Sequence, residues 1–413
     1  MANTFLHPND TLLNHLFPAA KPKILQITKS ERTICVFRVF FDAEPFPGAP
    51  KALIVHLESS DDRTKPALFK DVGISRVAAL AIPDYIVPTL AFGSYKLGDR
   101  PVAFAVKKFL PRVVPLSNVW SELAISQQED IMNSLHDIVK KFHFMDLKTK
   151  EVQEVLFCLD RARFARDQRT PYFQPYLLEW IKTHVDRNPL LTFEERDGKI
   201  RICSSVPELK SIVMERAGLQ LLEAYTYLSH GNLEPKNILV RPVCRKYAPA
   251  GYEIIAIVNW QNASLMPSAI EWASKDNLFG YKGSDAEWYT LYKTKLRDLV
   301  PKEEEHYQLV MTWRLIHDAW CMLASDKVEN EFRRRWLIRE GFELSDDPLD
   351  GWKRVNKPEP PVKIDPRREP ENTRHRLLVE LENERVAREP RTVMGRDDEK
   401  LEKEVRRDMG LLD

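Results

Sequence analysis

Residues 228–240 read LSHGNLEPKNILV, and residues 253–260, after a turn region ending at Gly251, read EIIAIVNW. The runs NILVRPV (237–243) and EIIAIVNW are short, apolar and rich in Ile and Val, which predicts a hairpin of two extended segments. Ahead of the hairpin stands a polar loop carrying His230, Gly231, Asn232, Glu234, Pro235 and Asn237, and its far end closes on Asn259-Trp260. This stretch carries more information than any other in the chain.

Upstream, Ser205-Val-Pro-Glu208 has the S-x-x-E form of a capping box with an early proline. Leu209, Val213, Ala217, Leu221, Ala224 and Leu228 then share one stripe, so a helix is expected to run from residue 205 into the loop. Further back, Trp120, Leu123, Ile131, Leu135, Ile138 and Val139 recur mostly every three or four residues, which predicts a helical second domain from about residue 119. The first 110 residues read differently. Two β-rich runs at about 24–41 flank the polar turn Ser30-Glu31-Arg32, a third strand is ALIVHLES (52–59), a short helix is SRVAALAI (75–82), and strands follow at about 87–95 and 101–109.

Downstream, residues 283–342 are helical in pattern, and the aromatics Trp288, Tyr289, Tyr292, Tyr307, Trp313 and Trp320 read as helix packing. Beyond about 352, Pro358, Pro360, Pro361, Pro366 and Pro370 punctuate a charged linker. Segments 371–389 and 397–409 are charged helices with narrow apolar stripes, read as solvated appendages or, more sharply, as partner-binding helices. The expected organisation is residues 1–110 as a β-rich lobe, 111–350 as a helical lobe bearing the loop, and 351–413 as a linker and extension.

Composition narrows the function classes. The 413 residues hold 62 Lys and Arg against 61 Asp and Glu, a formal charge of +1, which advertises neither nucleic acid nor an acidic membrane as partner. Five cysteines (Cys35, Cys158, Cys203, Cys244 and Cys321) lie far apart without a C-x-x-C pair, which argues against a disulfide framework and a zinc site. The N-terminal residues lack a basic region followed by a long apolar run, and no stretch approaches the ~20 apolar residues of a membrane span, so a cytoplasmic location is expected.

The order His230-Gly-Asn232, Pro235, Asn237 and an extended run, then Ile257-Val-Asn259-Trp260, resembles the catalytic loop and metal motif of the aminoglycoside phosphotransferase and choline kinase-like superfamily. That pattern is H-G-D-x-x-x-x-N followed by apolar residues, then two apolar residues and D-W. VAAL (77–80) with IVPTLAFGSY (86–95) resembles the family's first helix and next strand, and AVKKFLP (105–111) its interlobe hinge. The resemblance covers roughly residues 20–340, strongly at 228–260 and loosely elsewhere. It implies an α+β, protein-kinase-like two-lobed fold and a fungal-type member with degenerate motifs.

In phosphoryl transfer a loop aspartate takes the acceptor's proton, an asparagine and a second aspartate hold Mg²⁺, and a strand lysine paired with a helix glutamate orients the phosphates. Carried onto this chain, the base position is Asn232, whose amide cannot serve as a carboxylate base. The metal positions are Asn237, which is retained, and Asn259, a neutral and poor ligand for hard Mg²⁺. The lysine position is His56 and the glutamate position Arg76, so the ion pair is expected to be absent. No glycine precedes Gly48, so no phosphate-cradling loop is expected at 29–32. Glu234 is the nearest substitute carboxylate, with Glu271 and Asp276 as more distant metal donors, and His230 reads mainly as a brace of the loop.

The leading reading is a pseudokinase with a binding or scaffold role, holding an unknown small molecule or protein in the interlobe cleft, with ATP and Mg²⁺ not favoured as cofactors. Two alternatives stay open: a fold repurposed for small-molecule, secondary-metabolite chemistry, and a divergent active small-molecule kinase.

Overall fold

In the strand Ile34–Phe40, Cys35, Phe37 and Val39 are buried while the residues between them are half-buried, the period-two signature of a sheet packed on one face. The computed structural model in which this is seen describes residues 5–60, 67–155, 177–207, 209–243, 251–278, 286–323, 342–344, 352–354, 403 and 407. The chain divides into two compact units, Met1–Phe173 with Tyr227–Leu265, and Gln174–Thr226 with Met266–Asp413.

The first unit contains β1 (Ile24–Ser30), β2 (Ile34–Phe40), β3 (Ala52–Ser59), β4 (Thr89–Leu97) and β5 (Arg100–Lys108). They form one antiparallel sheet in the order β1-β2-β3-β5-β4. One face packs Cys35, Phe37, Val39, Leu53, Val55, Leu57, Val102, Phe104 and Val106 into a core with Leu6, Leu12 and Phe17, brought there by the N-terminal segment and the short helix α1 (Asp10–Leu16). On the other face, Ala103 and Ala105 receive Leu68 and Val72 of α2 (Ala67–Ala81). The strand–helix–strand order expected from the sequence is thus present, with α2 starting eight residues earlier than the SRVAALAI reading.

Glu58 explains where α2 begins. Its carboxylate oxygens accept from the N–H groups of Ala67 at 3.0 Å and Leu68 at 2.7 Å, so a strand side chain satisfies and charge-complements the helix start. The helix α3 (Ile125–His143) buries Ile131, Met132, Leu135, Ile138, Val139 and Phe142. It starts later than the expected 119, because Leu116–Asn118 and Trp120–Glu122 are single 3₁₀ turns. The hairpin is formed by Ile238–Val243 and Gly251–Ile257, with Ile238 opposite Ile257, and Val114–Pro115 adds a third strand.

In the second unit, Leu191–Arg196, Lys199–Ser204 and Ile212–Glu215 form a three-stranded antiparallel sheet beside the helices Leu177–Asp186 and Arg216–Ala224. This corrects the first part of the helix expected over 205–228, of which Arg216–Ala224 is helical. Pro207 and the β-branched Ile212 and Val213 favour extended backbone, and the alternation of exposed Val213 with buried Met214 fits pairing with Lys199–Ile202 better than a helical stripe. The helices Ser268–Leu278, Ala286–Lys295 and Glu304–Leu323 also belong to this unit; Trp288, Tyr289 and Tyr292 are buried, as the packing reading of the aromatics expects, whereas Trp320 is exposed. Segments 371–389 and 397–409 lie outside the described residues except for positions 403 and 407. No helix among the described residues is long and apolar enough to cross a membrane.

Candidate functional site

The loop 230–237 and the turn at 258–262 belong to the first unit and are tied to each other by side chains. His230 is fully buried; its Nδ1 accepts from the N–H of Asn232 at 3.3 Å, which leaves the proton on Nε2 to donate to the carbonyl of Val258 at 3.1 Å. The ring also meets Trp260 edge to face, centroids 4.6 Å apart. Both nitrogens are therefore committed to holding the loop against the end of the hairpin. Gly231 is required where it stands: its φ is +72°, and a Cβ there would lie 2.5 Å from the carbonyl oxygen of Asn262.

The three asparagines form a directed chain. Asn237 Nδ2 donates to the Asn232 carbonyl at 2.7 Å, which turns Asn237 Oδ1 toward Asn259, whose Nδ2 donates to it at 3.2 Å. Asn259 occupies the left-handed region (φ 68°, ψ 57°), which asparagine enters more readily than most residues. Asn232 Oδ1 is buried and has no protein partner among the described residues. Glu234 is half-buried; its carbonyl accepts from the Asn237 N–H at 2.8 Å and starts the 3₁₀ turn Pro235–Asn237.

One residue the sequence reading missed joins this loop to the sheet. Asp71, on the inner face of α2, accepts the backbone N–H of Trp260 through Oδ1 at 2.6 Å and pairs through Oδ2 with Lys107 Nζ of β5 at 2.6 Å. An ion pair therefore does link α2 to the sheet, between residues other than His56 and Arg76. The signal was present: Asp71 shares a helical stripe with Leu68, Val72 and Ser75, and an acid inside such a stripe needs a partner. Arg76 is exposed on α2, away from that stripe. His56 lies on β3 opposite Ala105, and burial, followed by the charge of Lys107, pushes its pKa down to about 4.

Magnesium does not fit these atoms. A hard cation needs converging oxygens, whereas one of the two facing amide atoms is a donor nitrogen and the other oxygen already accepts from it. Both oxygens of Asp71 are engaged, and among the described residues no three His, Cys, Asp or Glu side chains gather as metal donors. Glu271 is buried in the second unit, and the side chain of Asp276 lies outside the described residues.

No protein-family model matches the chain, and no curated protein matches it. Among solved structures, the streptomycin–ATP–APH(2″)-IIa ternary complex aligns at 10% identity and TM-score 0.37 over 81% of this chain and 95% of its own. The AMP-bound complex of spectinomycin phosphotransferase, APH(9)-Ia, aligns at 10% identity and TM-score 0.37 over 82% of this chain and 96% of its own. Likeness of this degree assigns no family. The α+β class stands on the chain's own elements: a five-stranded sheet with one inserted helix toward the N-terminus, and mostly helices toward the C-terminus.

Proposed function

We propose that this chain is an aminoglycoside phosphotransferase-like pseudokinase, a protein that keeps the loop architecture of a kinase-like fold for binding and has given up Mg²⁺-dependent phosphoryl transfer. The observation that carries the reading is the hydrogen bond from Asn259 Nδ2 to Asn237 Oδ1. In the pattern that the sequence resembles, the corresponding two side chains turn oxygens toward a metal. Here an amide nitrogen meets the oxygen, so the pair is satisfied without a cation. Asn232 adds the second deficit, because an amide cannot accept the proton of an attacking hydroxyl. Losing the base alone costs about 10²–10⁴ in rate, and losing the metal removes the charge compensation on which this chemistry depends.

The ties through His230 and Asp71 support a structural role for what remains: each fixes the loop, and neither leaves a free base at the centre. The test is thermal denaturation of the full chain with ATP, with and without Mg²⁺, alongside assays of transfer to amino-sugar and choline-like acceptors. The expected result is no magnesium-dependent stabilisation and no phosphorylated product. Magnesium-dependent stabilisation by ATP accompanied by transfer to any acceptor defeats the proposal.

A further inference from the structure

The end of α3 carries side chains that the asparagine loop does not use. Asp137, Lys140, Lys141 and the capping residue Phe144 stand at i, i+3, i+4 and i+7, so they share one face. Together with Leu80 and Ala81 at the end of α2, and with Met145, they line an open cleft of about 800 Å³ within the first unit. Phe144 is the most exposed large apolar side chain among the described residues, at 60%, and Leu80 is 46% exposed. Fraying of the helix end does not explain this. The Phe144 N–H donates to the Lys140 carbonyl at 3.0 Å, its neighbours Phe142 and His143 are buried, and its ring meets Tyr227 edge to face with centroids 5.9 Å apart. A ring held in place yet left in water, in a cleft with a second exposed apolar side chain, marks an interaction surface; a single exposed residue would not.

The rim of the cleft carries an excess of positive charge. Among the lining residues, Lys140 and Lys141 stand against one acid, Asp137, whose Oδ1 lies 3.4 Å from His136 Nδ1. Neither lysine has an ion-pair partner among the described residues. Asp146, the next acid along the chain, turns back on its own loop and accepts the Lys148 N–H at 2.8 Å. Lysines in the last turn of α3 suit its carbonyl end, which accounts for cations there and not for the exposed ring or the cleft.

We propose that this cleft docks an acidic amphipathic helix of a partner protein. The apolar stripe of that helix seats against Leu80, Phe144 and Met145, and the glutamates or aspartates flanking the stripe meet Lys140 and Lys141. A helix suits the cleft better than a small organic ligand, because an open cleft cannot enclose most of a small molecule's surface. It also suits it better than a flat lipid surface, because the apolar side chains line a concavity. The surface uses none of the residues of loop 230–237 and goes beyond the pseudokinase reading.

The experiment is fluorescence anisotropy of the full chain in EDTA without nucleotide. The probe is a labelled helical peptide of about 16 residues with leucine at every third or fourth position and glutamate on both flanks. Two control peptides keep its length, one with lysine in place of glutamate and one with serine in place of leucine. The acidic peptide is expected to bind saturably, at least about tenfold tighter than either control at low salt, and more weakly as salt rises. Phe144→Ala is expected to weaken it about tenfold, and Lys140→Gln combined with Lys141→Gln about three- to tenfold. Leu221→Ser, at an equally exposed leucine of the second unit, is expected to leave the affinity unchanged. Leu80→Ser provides the same comparison if Phe144→Ala does not fold.

No saturable binding, equal binding of the lysine peptide, undiminished affinity in a folded Phe144→Ala or Leu80→Ser chain, or equal weakening by Leu221→Ser overturns the proposal. Vesicles of phosphatidylcholine and phosphatidylserine form the last arm. Retention of the parent chain on them, lost in Phe144→Ala and without peptide binding, assigns a lipid surface and overturns the helix. Because magnesium and nucleotide are absent, these outcomes are independent of the ATP test of the pseudokinase reading.

Discussion

Replacing Asn259 by an aspartate asks whether an amide pair stands where a cation would. Asn259 Nδ2 lies 3.2 Å from Asn237 Oδ1, and Asn237 is held in that orientation because its own Nδ2 donates to the Asn232 carbonyl at 2.7 Å. The substitution would set a carboxylate oxygen against an amide oxygen, losing a hydrogen bond worth about 1 kcal/mol and leaving a half-buried acceptor unpaired at about 1–3 kcal/mol. The Asp71 carboxylate, bonded to the next residue's N–H, adds like-charge repulsion that Lys107 partly offsets. The expected loss is about 2–4 kcal/mol, or roughly 5–15 °C in Tm for a unit of this size.

Excess Mg²⁺ should reverse much of that loss, since a cation between the two oxygens at a hundred times its Kd returns about 2.7 kcal/mol. The assay is thermal denaturation of parent, Asn259→Asp and Asn259→Ala in EDTA and in magnesium chloride. Only the aspartate variant should respond to magnesium, and its deficit should shrink at low pH, where a protonated carboxyl can donate to Asn237. A variant as stable as the parent in EDTA, or a parent that gains as much from magnesium as the variant does, refutes the reasoning.

Asp71→Asn should cost about 2–3 kcal/mol, less than for a fully buried pair because some solvent reaches Lys107, and should speed hydrogen exchange at the Trp260 amide; unchanged exchange there would argue against the tie. Gly231→Ala should lower stability by about 2 kcal/mol or more in chemical denaturation, combining the strain of a positive φ with a Cβ 2.5 Å from the Asn262 carbonyl oxygen. Stability should also fall with acid. Burial lowers the pKa of His56 to about 4 and of His143 to about 3, from an ordinary value of 6.5, so both are neutral when folded and take up protons on unfolding. Their contribution is complete above pH 6.5 and declines by about 1.4 kcal/mol per pH unit each, down to about pH 4 for His56 and about pH 3 for His143. His56→Gln should reduce the slope between pH 6.5 and 4 by about 1.4 kcal/mol per pH unit, and an unchanged slope would show that His56 does not carry its share.

Much of the first unit was legible because its strands alternate. ALIVHLES coincides with β3 as Ala52–Ser59, and the runs on either side of Ser30-Glu31-Arg32 became β1 and β2. The hairpin after the polar loop was equally readable from its Ile and Val content. The reading failed at 212–215, where a capping-box form and an apolar stripe imitated a helix across residues that pair as a strand, while Arg216–Ala224 is helical as expected. Sheet partners there come from Lys199–Ile202, and a local stripe cannot register a pairing that local propensity does not predict.

The sequence by itself determined which side chains stand in the loop: an amide at Asn232, amides at Asn237 and Asn259, an imidazole at His230 and a glycine at Gly231. Those identities alone put neutral amides, with no carboxylate, at positions 232, 237 and 259. Only the tertiary structure decided how the amides are oriented, because orientation depends on which acceptor lies within hydrogen-bond reach, and here the Asn232 carbonyl, 2.7 Å away, fixes Asn237. It also decided that Asp71 and Lys107, 36 residues apart, are partners and that Asp71 reaches Trp260, 189 residues away. Such contacts cross strands and helices whose spacing is set by packing of the whole unit, so chain separation carries no trace of them.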